Sequence, residues 1–361
     1  NYFTQTKIAL FKDSVKVNSP EYLIFSDTLK YNTDTKLVSI LGPTNIYGKG
    51  DENNTLYSED GWYDSNLGHA ELYKNNRVSH QSYEGVADTM VIDSITGMAY
   101  LYWNVTLVDT VNNVIVKGEY AQMDREQNKA FVTDSALLIM VGKQDSLFVH
   151  GDTLFMDQDS AILRAYYKVK FFSQDLQGLC DSMVYLSVDS TITLYNEPVA
   201  WASGNQMTAE KISLLTGNGT IKEFYLNTKA FMVSRREETE MYDQIKGRNM
   251  TGYFRDNELY MVYVNGNGET IYFPDDKGNI IGVNTANSSN IRIMIDKRKV
   301  TDIVFINKPD GELNPLFLAD PEEARLKDFR WLKYMQPLNK FDIFKETKEP
   351  DPVEKEEEEK E

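Results

Sequence analysis

A short phrase recurs along this chain, consisting of an acidic residue followed by apolar residues at alternate positions. Two clear copies are Asp27-Thr28-Leu29-Lys30-Tyr31 and Asp152-Thr153-Leu154-Phe155-Met156. The acids of successive copies, with a looser copy at the second position, are Asp27, Asp60, Asp88, Glu119, Asp152, Asp181 and Glu210. A period of about thirty residues predicts stacked repeats, each of which buries its apolar face only against its neighbours.

Each phrase is followed by a polar turn and by two further β-like runs, so we expect three short strands per repeat. Tyr, Val, Thr and Phe favour strands, and alternation places every second side chain on one face. Two degraded copies follow Glu210, at Asn249–Tyr253 and at Ile291–Ile295. Repeats near the end of an array commonly drift in this way.

The alternating positions predict two apolar columns that form the facing walls of the interior. The first column consists of Leu29, Met90, Ile92, Met123, Leu154, Met156, Met183, Ile212 and Leu214. The second column consists of Val105, Leu107, Leu138, Val169, Phe171, Val199, Trp201 and Met232. Inward apolar columns are obligatory in any β-sandwich, so the pattern alone leaves open whether the interior is filled or hollow.

The chain divides into three regions by composition. Residues 1–307 carry the repeats, and the opening run Lys7–Phe11 resembles the middle of a repeat, which suggests further repeats upstream. Residues 308–345 form a capping segment in which Asp320-Pro321-Glu322-Glu323 predicts the start of a short helix. Leu326, Phe329 and Leu332 would share one face of that helix and cover the last sheet edge. Residues 346–361 contain nine acids and three lysines and predict a disordered acidic tail.

The charge of the chain argues against several partners. A formal net charge of −17 repels phosphate backbones and anionic bilayers at long range. We therefore expect no binding to nucleic acid. Cys180 is the single cysteine, and its apolar neighbours indicate a packed structural thiol.

With these residues in view, the chain resembles the OstA-like repeat family, which includes the periplasmic bridge and the amino-terminal translocon domain of lipopolysaccharide transport. The resemblance rests on phrases such as Gly151–Met156 and on the later Asn104-Val105 and Pro198-Val199 strands, and it covers roughly residues 7 to 307. The greater length and the acidic C-terminal part depart from the short bridge protein.

The resemblance implies an all-β, elongated and twisted β-jelly-roll, open along one side, in a longer variant. Its interior would shelter the acyl chains of lipopolysaccharide or of another acylated lipid, with the two columns above as the lining of the trough. Its end strands would join other jelly-roll transport components, or further copies of the chain, head to tail. The implied place is the periplasm, with outer-membrane association as a further expectation.

No constellation for catalysis stands out, and we expect a non-enzymatic protein without metal or cofactor. His69, His80 and His150 are far apart in sequence and lack the spacing of metal ligands. Asn265-Gly266-Asn267-Gly268 predicts a hairpin turn.

Two other function classes stay open. Asp175, Asp181 and Asp189 would serve a glycan-binding or glycan-cleaving repeat protein as paired carboxylates. A purely structural or adhesive surface repeat would have a fully packed interior.

Overall fold

A computed structural model of the chain describes residues 2–20, 22–49, 54–80, 83–142, 145–217, 220–236, 239–256, 258–276, 279–318 and 324–346. The all-β class is confirmed, since the described residues contain strands and only three 3₁₀ helices of three residues each. The 3₁₀ helices are Leu316–Leu318, Lys333–Met335 and Asp342–Phe344.

The strands, in chain order, are β1 (Tyr2–Phe3), β2 (Ile8–Asn18), β3 (Tyr22–Asn32), β4 (Leu37–Ile40), β5 (Thr44–Gly48), β6 (Thr55–Ser58), β7 (Asp60–Asp64), β8 (His69–Lys74), β9 (Asn76–His80), β10 (Tyr83–Ala87), β11 (Thr89–Asp93), β12 (Met98–Asp109), β13 (Val114–Asp124), β14 (Lys129–Thr133), β15 (Leu137–Val141), β16 (Ser146–His150), β17 (Thr153–Asp157), β18 (Ile162–Phe172), β19 (Leu176–Leu186), β20 (Thr191–Tyr195), β21 (Val199–Ala202), β22 (Asn205–Thr208), β23 (Lys211–Gly217), β24 (Thr220–Arg235), β25 (Tyr242–Arg255), β26 (Glu258–Tyr272), β27 (Asp275–Asp276), β28 (Asn279–Ile280), β29 (Gly282–Asp296), β30 (Lys299–Ile306) and β31 (Asp310–Pro315).

Many long strands are interrupted near their middle. On one side, the two halves of β3, β12, β13, β19, β24 and β29 pair with different neighbours. In β3, residues Leu29–Tyr31 pair with β4, whereas Tyr22–Ser26 pair with β5. The register of β12 against β13 shifts between Tyr102 and Val105. At such bulges a strand bends, so each long strand turns a corner and contributes to two walls.

Consecutive residues with left-handed φ mark this corner at several places along the chain, and between Trp103 and Lys229 they recur with about the period of the repeat. They are Asp13-Ser14, Trp103-Asn104, Asp134-Ser135, Tyr167-Lys168, Asn196-Glu197, Thr228-Lys229 and Asn307-Lys308. Over this part of the chain, the thirty-residue period is therefore the length of chain between successive corners.

The described chain forms two compact units: residues 1–142 with 150–165, and residues 143–149 with 166–361. In unit 1 we call the first wall the ladder of β4, β7, β8, β11, β14 and β17 with the adjoining halves of β2, β3, β12 and β13. The second wall is the ladder of β5, β6, β9, β10 and β15 with the other halves of the long strands. A Cβ added to Gly118 of the second wall would lie 2.5 Å from Val132 Cγ1 of the first, so the walls touch near the corner.

Unit 2 repeats the two-walled plan with longer strands. Its first wall contains β20, β23 and β30 with halves of β19, β24, β25, β26 and β29. Its second wall contains β21, β22 and β31 with the remaining halves. A Cβ added to Gly268 of the second wall would lie 2.6 Å from Ile291 Cδ1 of the first, so these walls also touch.

The repeated acids lie at the corner and satisfy polar groups there. Glu119 accepts the backbone N–H of Asn104 at 3.1 Å, and Asp88 accepts the Asn104 side-chain amide at 2.7 Å. Lys229 pairs with Glu210 at 2.9 Å. The carboxylates thus hold the left-handed corner residues in place, which gives the repeated acids a structural role.

The hairpin predicted at Asn265–Gly268 is wrong. β26 runs through these residues, and its register against β29 shifts between Asn265 and Gly268. Gly266 and Asn267 have φ of 85° and 51°. Turn-forming residues occur here because the corner, like a tight turn, requires left-handed backbone.

The C-terminal segment also differs from expectation. The predicted helix start at Asp320–Glu323 lies outside the described residues, and residues 324–332 form neither helix nor strand, with a turn at Lys327 and Asp328. We call Ala324–Lys345 the strap. It lies on the outer face of the second wall of unit 2, where Leu326, Phe329 and Trp331 pack against a buried cluster of Phe231, Val233 and Tyr242. The predicted tail beyond Glu346 lies outside the described residues.

Candidate functional site

The first wall of unit 1 presents a continuous row of inward side chains close to the corner. Residues directly opposite one another in neighbouring strands share a face, so the pairings define the row. It comprises Leu29, Ile40, Gly61, Leu72, Met90, Leu101, Ala121, Val132 and Leu154. Its apolar side chains are at most 3% exposed. The walls leave almost no solvent access at this depth.

A second row runs parallel to the first and nearer the free rim of the wall. It comprises Tyr31, Val38, Tyr63, Ala70, Ile92, Ala99, Met123, Ala130 and Met156. We call it the unit 1 rim row. All of its residues are half-buried except Ala70 and Ala130, which are buried. Small alanines alternate with larger residues over its second half, so this inward apolar strip stays partly open to solvent.

The second wall of unit 1 faces the first with a similar gradient. Val105, Leu107 and Leu138 are buried, and Leu107 and Leu138 both lie opposite Val116. Towards the N-terminal strands, the matching inward residues Ile24, Ile46, Leu56 and Val78 are half-buried.

Near the corner, the N-terminal strands of the second wall carry buried polar groups, which sequence reasoning missed. The Ser26 and Thr44 hydroxyls are 2.7 Å apart, and Ser58 donates to Asn76 Oδ1 at 2.8 Å. Asn76 donates to the Asp88 carbonyl at 2.8 Å. These bonds satisfy the buried groups, so the floor of the interior is closed here without apolar packing.

In unit 2, the inward side chains of the first wall are buried as far as its rim. Its deep row holds Met183, Leu194, Ile212, Leu226, Met250, Val264 and Ile291. Its rim row holds Tyr185, Ile192, Leu214, Phe224, Gly252, Val262, Ile293 and Ile303. All but Tyr185 and Ile303 of the two rows are buried. A Cβ at Gly252 would lie 2.1 Å from Phe224 Cε1, which shows how closely the phenyl ring covers that strand.

The second column of the predicted trough divides between two faces in unit 2. Ala200 pairs with Gly178 and with Met207, and Met207 pairs with Met232. Phe171 lies against the same face, because a Cβ at Gly178 would meet its ring at 2.2 Å. Val169 and Phe171, one alternation apart, are both buried. These residues belong to the interior.

Val199 and Trp201, expected beside Phe171, lie on the opposite, outer face. Trp201 pairs with Gln177 and Gln206, which are out of phase with the inward Gly178 and Met207. Both residues are 4% exposed. The continuous apolar run Val199-Ala200-Trp201-Ala202 is the sequence signal for this, since a strand covered on both faces loses its alternation.

Three buried glutamines on this outer face hold the strap. Gln244 donates to the Ala324 carbonyl at 2.9 Å and accepts the Leu326 N–H at 2.8 Å. Gln206 repeats the arrangement with the Arg330 carbonyl and the Leu332 N–H, both at 2.7 Å.

The third glutamine, Gln177, accepts the side-chain amide of Gln336 at 2.7 Å. The side-chain amides of Gln206 and Gln244 therefore pair with the strap as a neighbouring strand would. These external partners take the place of the hydrogen bonds of a helix, and residues 324–332 form no helix.

A cleft of about 160 Å³ lies where the strap passes the rim of unit 2. Its lining includes Trp201, Trp331, Asp175, Glu258, Arg298 and Lys333. The indole N–H of Trp201 is buried and has no hydrogen-bond partner among the described residues. Trp201 is only 4% exposed, so its ring offers little surface for a sugar to stack on.

The three carboxylates considered for glycan cleavage are not brought together. Asp175 lies at the cleft, whereas Asp181 accepts hydrogen bonds from Ser182 and Asn196 at the corner. Asp189 accepts the N–H of Thr191 in a turn of the first wall.

Cys180, His150 and His69 have contacts that are typical of structural residues. Burial raises the pKa of the Cys180 thiol far above its usual range. His150 contacts the Ala136 carbonyl at 2.8 Å, and His69 lies 3.4 Å from Glu71. Across the described ranges, no group of three or more His, Cys, Asp or Glu is placed to hold a metal ion. The described residues also contain no helix long and apolar enough to span a membrane.

No protein-family model and no curated protein matches this chain. Among solved structures, the chain is similar to the crystal structure of LptH, the LptA homologous periplasmic component of the lipopolysaccharide transport device of Pseudomonas aeruginosa. The two share 15% identity over 30% of this chain and 80% of that chain, with a TM-score of 0.27. A likeness of this size is too small to bear on function.

Proposed function

We propose that this protein is a non-enzymatic lipid-binding and bridging protein of lipopolysaccharide transport and outer-membrane assembly. It would shelter acyl chains along the inner faces of its walls. The observation that supports this most directly is the unit 1 rim row, which is inward-facing and apolar but only half-buried.

The dimensions of the rim row suit a hydrocarbon chain. The row crosses nine adjacent strands, which at about 4.8 Å per strand makes it roughly 40 Å long. Removing about ten methylenes from water gains on the order of 8 kcal/mol before the cost of ordering the chain. Met123 and Met156 are unbranched and polarisable, so they adapt to lipids of irregular shape.

The deep rows contribute differently to this function. Leu29, Met90 and Leu154 are buried against the opposite wall and form the floor on which an acyl chain would rest. In unit 2, Met183, Ile212, Leu214, Val169, Phe171 and Met232 would contact lipid only if the walls separated. Val199 and Trp201 lie on the outer face, so they leave the proposed lining.

The proposed partners are lipopolysaccharide or another acylated lipid, other jelly-roll transport components, and further copies of the chain. Strand pairing would join the proteins, because within the described ranges β30 and β31 each pair on one side only, with β29. The proposed place of action is the periplasm, with association with the outer membrane.

Site-specific photocrosslinking in cells tests the proposal. A photoreactive amino acid placed at Met123 should label lipopolysaccharide, because this side chain faces inward from the rim. Placed at the adjacent Gln122, it should not, because Gln122 lies opposite Phe131 on the outer face with the same half-buried exposure.

The pair Met156 and Phe155 repeats the comparison one hairpin later, where Phe155 lies opposite Phe131 on the outer face. Equal labelling from inner and outer positions, or labelling from the outer positions alone, would overturn the trough.

A further inference from the structure

The strap as a whole differs in charge from the rest of the chain. Between Ala324 and Lys345 there are six Lys and Arg against two Asp, a net charge of +4 in a chain of net charge −17. Long-range repulsion by the whole molecule does not prevent a local cationic segment from binding anions, because interactions between exposed charges are screened beyond about 8–10 Å at physiological salt.

The same stretch exposes large apolar side chains that point away from the wall. Leu338 and Phe341 are each 68% exposed, and Tyr334 and Phe344 are each 43% exposed. They alternate with the exposed cations Lys333, Lys340 and Lys345. Apolar and cationic side chains together are typical of segments that lie in the interface of an anionic bilayer.

The surrounding contacts fix this arrangement. Ile343, which is 1% exposed, anchors the segment. Asp342 accepts the N–H groups of Leu338 and Asn339 at 3.0 and 3.2 Å and pairs with Lys345 at 2.7 Å. Because one carboxylate holds the turn, the exposed residues are presented together without further ordering.

Contacts with β16 and β18 also hold this part of the strap in place. The Lys340 ammonium lies 5.4 Å from the ring centroids of both Phe148 and Phe341. Lys170 donates a hydrogen bond to the Lys345 carbonyl and adds a further cation at the edge of the patch.

From these observations we propose that residues 333–345 of the strap dock the outer face of unit 2 onto an anionic lipid bilayer. Lys333, Lys340 and Lys345 meet lipid phosphates, and Leu338, Phe341 and Phe344 enter the headgroup region. This goes beyond the shelter of acyl chains in unit 1, because it concerns a different face and a bilayer surface. The acids from Glu346 to Glu361, with a net charge of −6, oppose the same contact.

Flotation of the full chain with vesicles tests this. The protein should float with phosphatidylcholine vesicles that contain phosphatidylglycerol, should stay behind with phosphatidylcholine alone, and should dissociate at high salt. Replacing two cations, Lys333→Glu with Lys340→Glu, should lower the partition coefficient by about tenfold or more. Leu338→Ser with Phe341→Ser should lower it comparably while leaving the charge unchanged.

Matched variants control for charge and for exposed apolar area elsewhere. Lys211→Glu with Lys299→Glu makes the same change in net charge at exposed positions away from the strap. Ile95→Ser with Val188→Ser removes apolar side chains that are 70% and 87% exposed in turns. Both pairs should bind as the unaltered chain does. A chain ending at Glu346 should bind more tightly.

The proposal is overturned if the full chain does not float with anionic vesicles, or if either double variant of the strap binds as the unaltered chain does. It is also overturned if the Lys211/Lys299 control loses as much binding to anionic vesicles as the Lys333/Lys340 variant. Tighter binding by the full chain than by the chain ending at Glu346 would also contradict it. Failure here leaves the photocrosslinking result in unit 1 unaffected, so the two proposals fail separately.

Discussion

Unit 1 and unit 2 use the same two-walled plan but treat the rim of the first wall differently. In unit 1 the rim row of Ile92, Met123 and Met156 is half-buried, with alanines between the larger residues. In unit 2 the corresponding Ile192, Leu214 and Phe224 are at most 3% exposed. The deep rows are alike, so the difference between the two rims lies in the size of their side chains.

The comparison shows how one repeat architecture can serve two purposes. Small residues in the rim row leave apolar surface unfilled, which costs stability but provides a place for a ligand. Large rim residues and an external strap give a unit that is packed inside and covered outside. We therefore expect unit 1 to bind lipid and unit 2 to supply stability and attachment.

The largest expected difference concerns the rim rows themselves. Phe224→Ala should lower the free energy of unfolding by about 3–5 kcal/mol, because it leaves a cavity over Gly252 in a packed interior. Met123→Ala should cost about 1 kcal/mol or less, since its side chain is already partly in water. Urea denaturation of both variants measures this. Equal costs would mean that the unit 1 rim is as well packed as that of unit 2.

A smaller effect is expected from the strap. Gln244→Leu should lower the free energy of unfolding by about 2 kcal/mol, since it leaves the Ala324 carbonyl and the Leu326 N–H without their partner. Hydrogen exchange at Leu326 should accelerate. Gln122→Leu, on the half-buried outer face of unit 1, serves as the control and should change stability by no more than about 0.5 kcal/mol. Unchanged exchange at Leu326 would show that apolar packing alone holds the strap.

One carboxylate in each unit is expected to make the free energy of unfolding depend on pH, and the two dependences have opposite signs. In unit 1, hydrogen bonds from Lys74, Asn75 and Tyr57 lower the pKa of Glu59 from 4.5 to about 2. Its contribution is present above pH 4.5 and is lost as the pH falls towards 2. In unit 2, burial raises the pKa of Asp243 above 3.8, against the opposing effect of Arg236. Its carboxyl favours the folded state when protonated, so stability falls as the pH rises through the raised pKa.

Unfolding free energies of Glu59→Gln and Asp243→Asn between pH 2 and 7 measure these contributions. Glu59→Gln should flatten the loss of stability on acidification, and Asp243→Asn should remove the opposite trend. A steeper acid loss in Glu59→Gln than in the unaltered chain would contradict the assignment for unit 1.

Much of the architecture followed from local pattern. The phrase around Leu29, Met90 and Leu154 predicted inward-facing positions, and the pairings place these residues in one row. The degraded copies also hold, since Met250 and Ile291 continue the deep row of unit 2. Period-two alternation with one buried face specifies which side chains point inward, wherever only one face is buried.

The same rule failed where both faces are covered. Trp201 is adjacent to the inward Ala200 and therefore points to the outer face. Nothing in the strand itself indicates that a segment more than a hundred residues later in the sequence covers Trp201. Gln206 and Gln244 look like ordinary surface residues in the sequence. Their role depends on strap backbone groups brought to them by the fold, and Leu326, Phe329 and Leu332 fit a helix equally well in isolation.

The sequence by itself determined the repeat, the strands and most of the inward faces, because these depend on neighbours within one or two repeats. The tertiary structure alone decided which rim is open, where the strap lies and which outer face is covered. Those features depend on contacts between distant segments, whose partners local patterning does not identify.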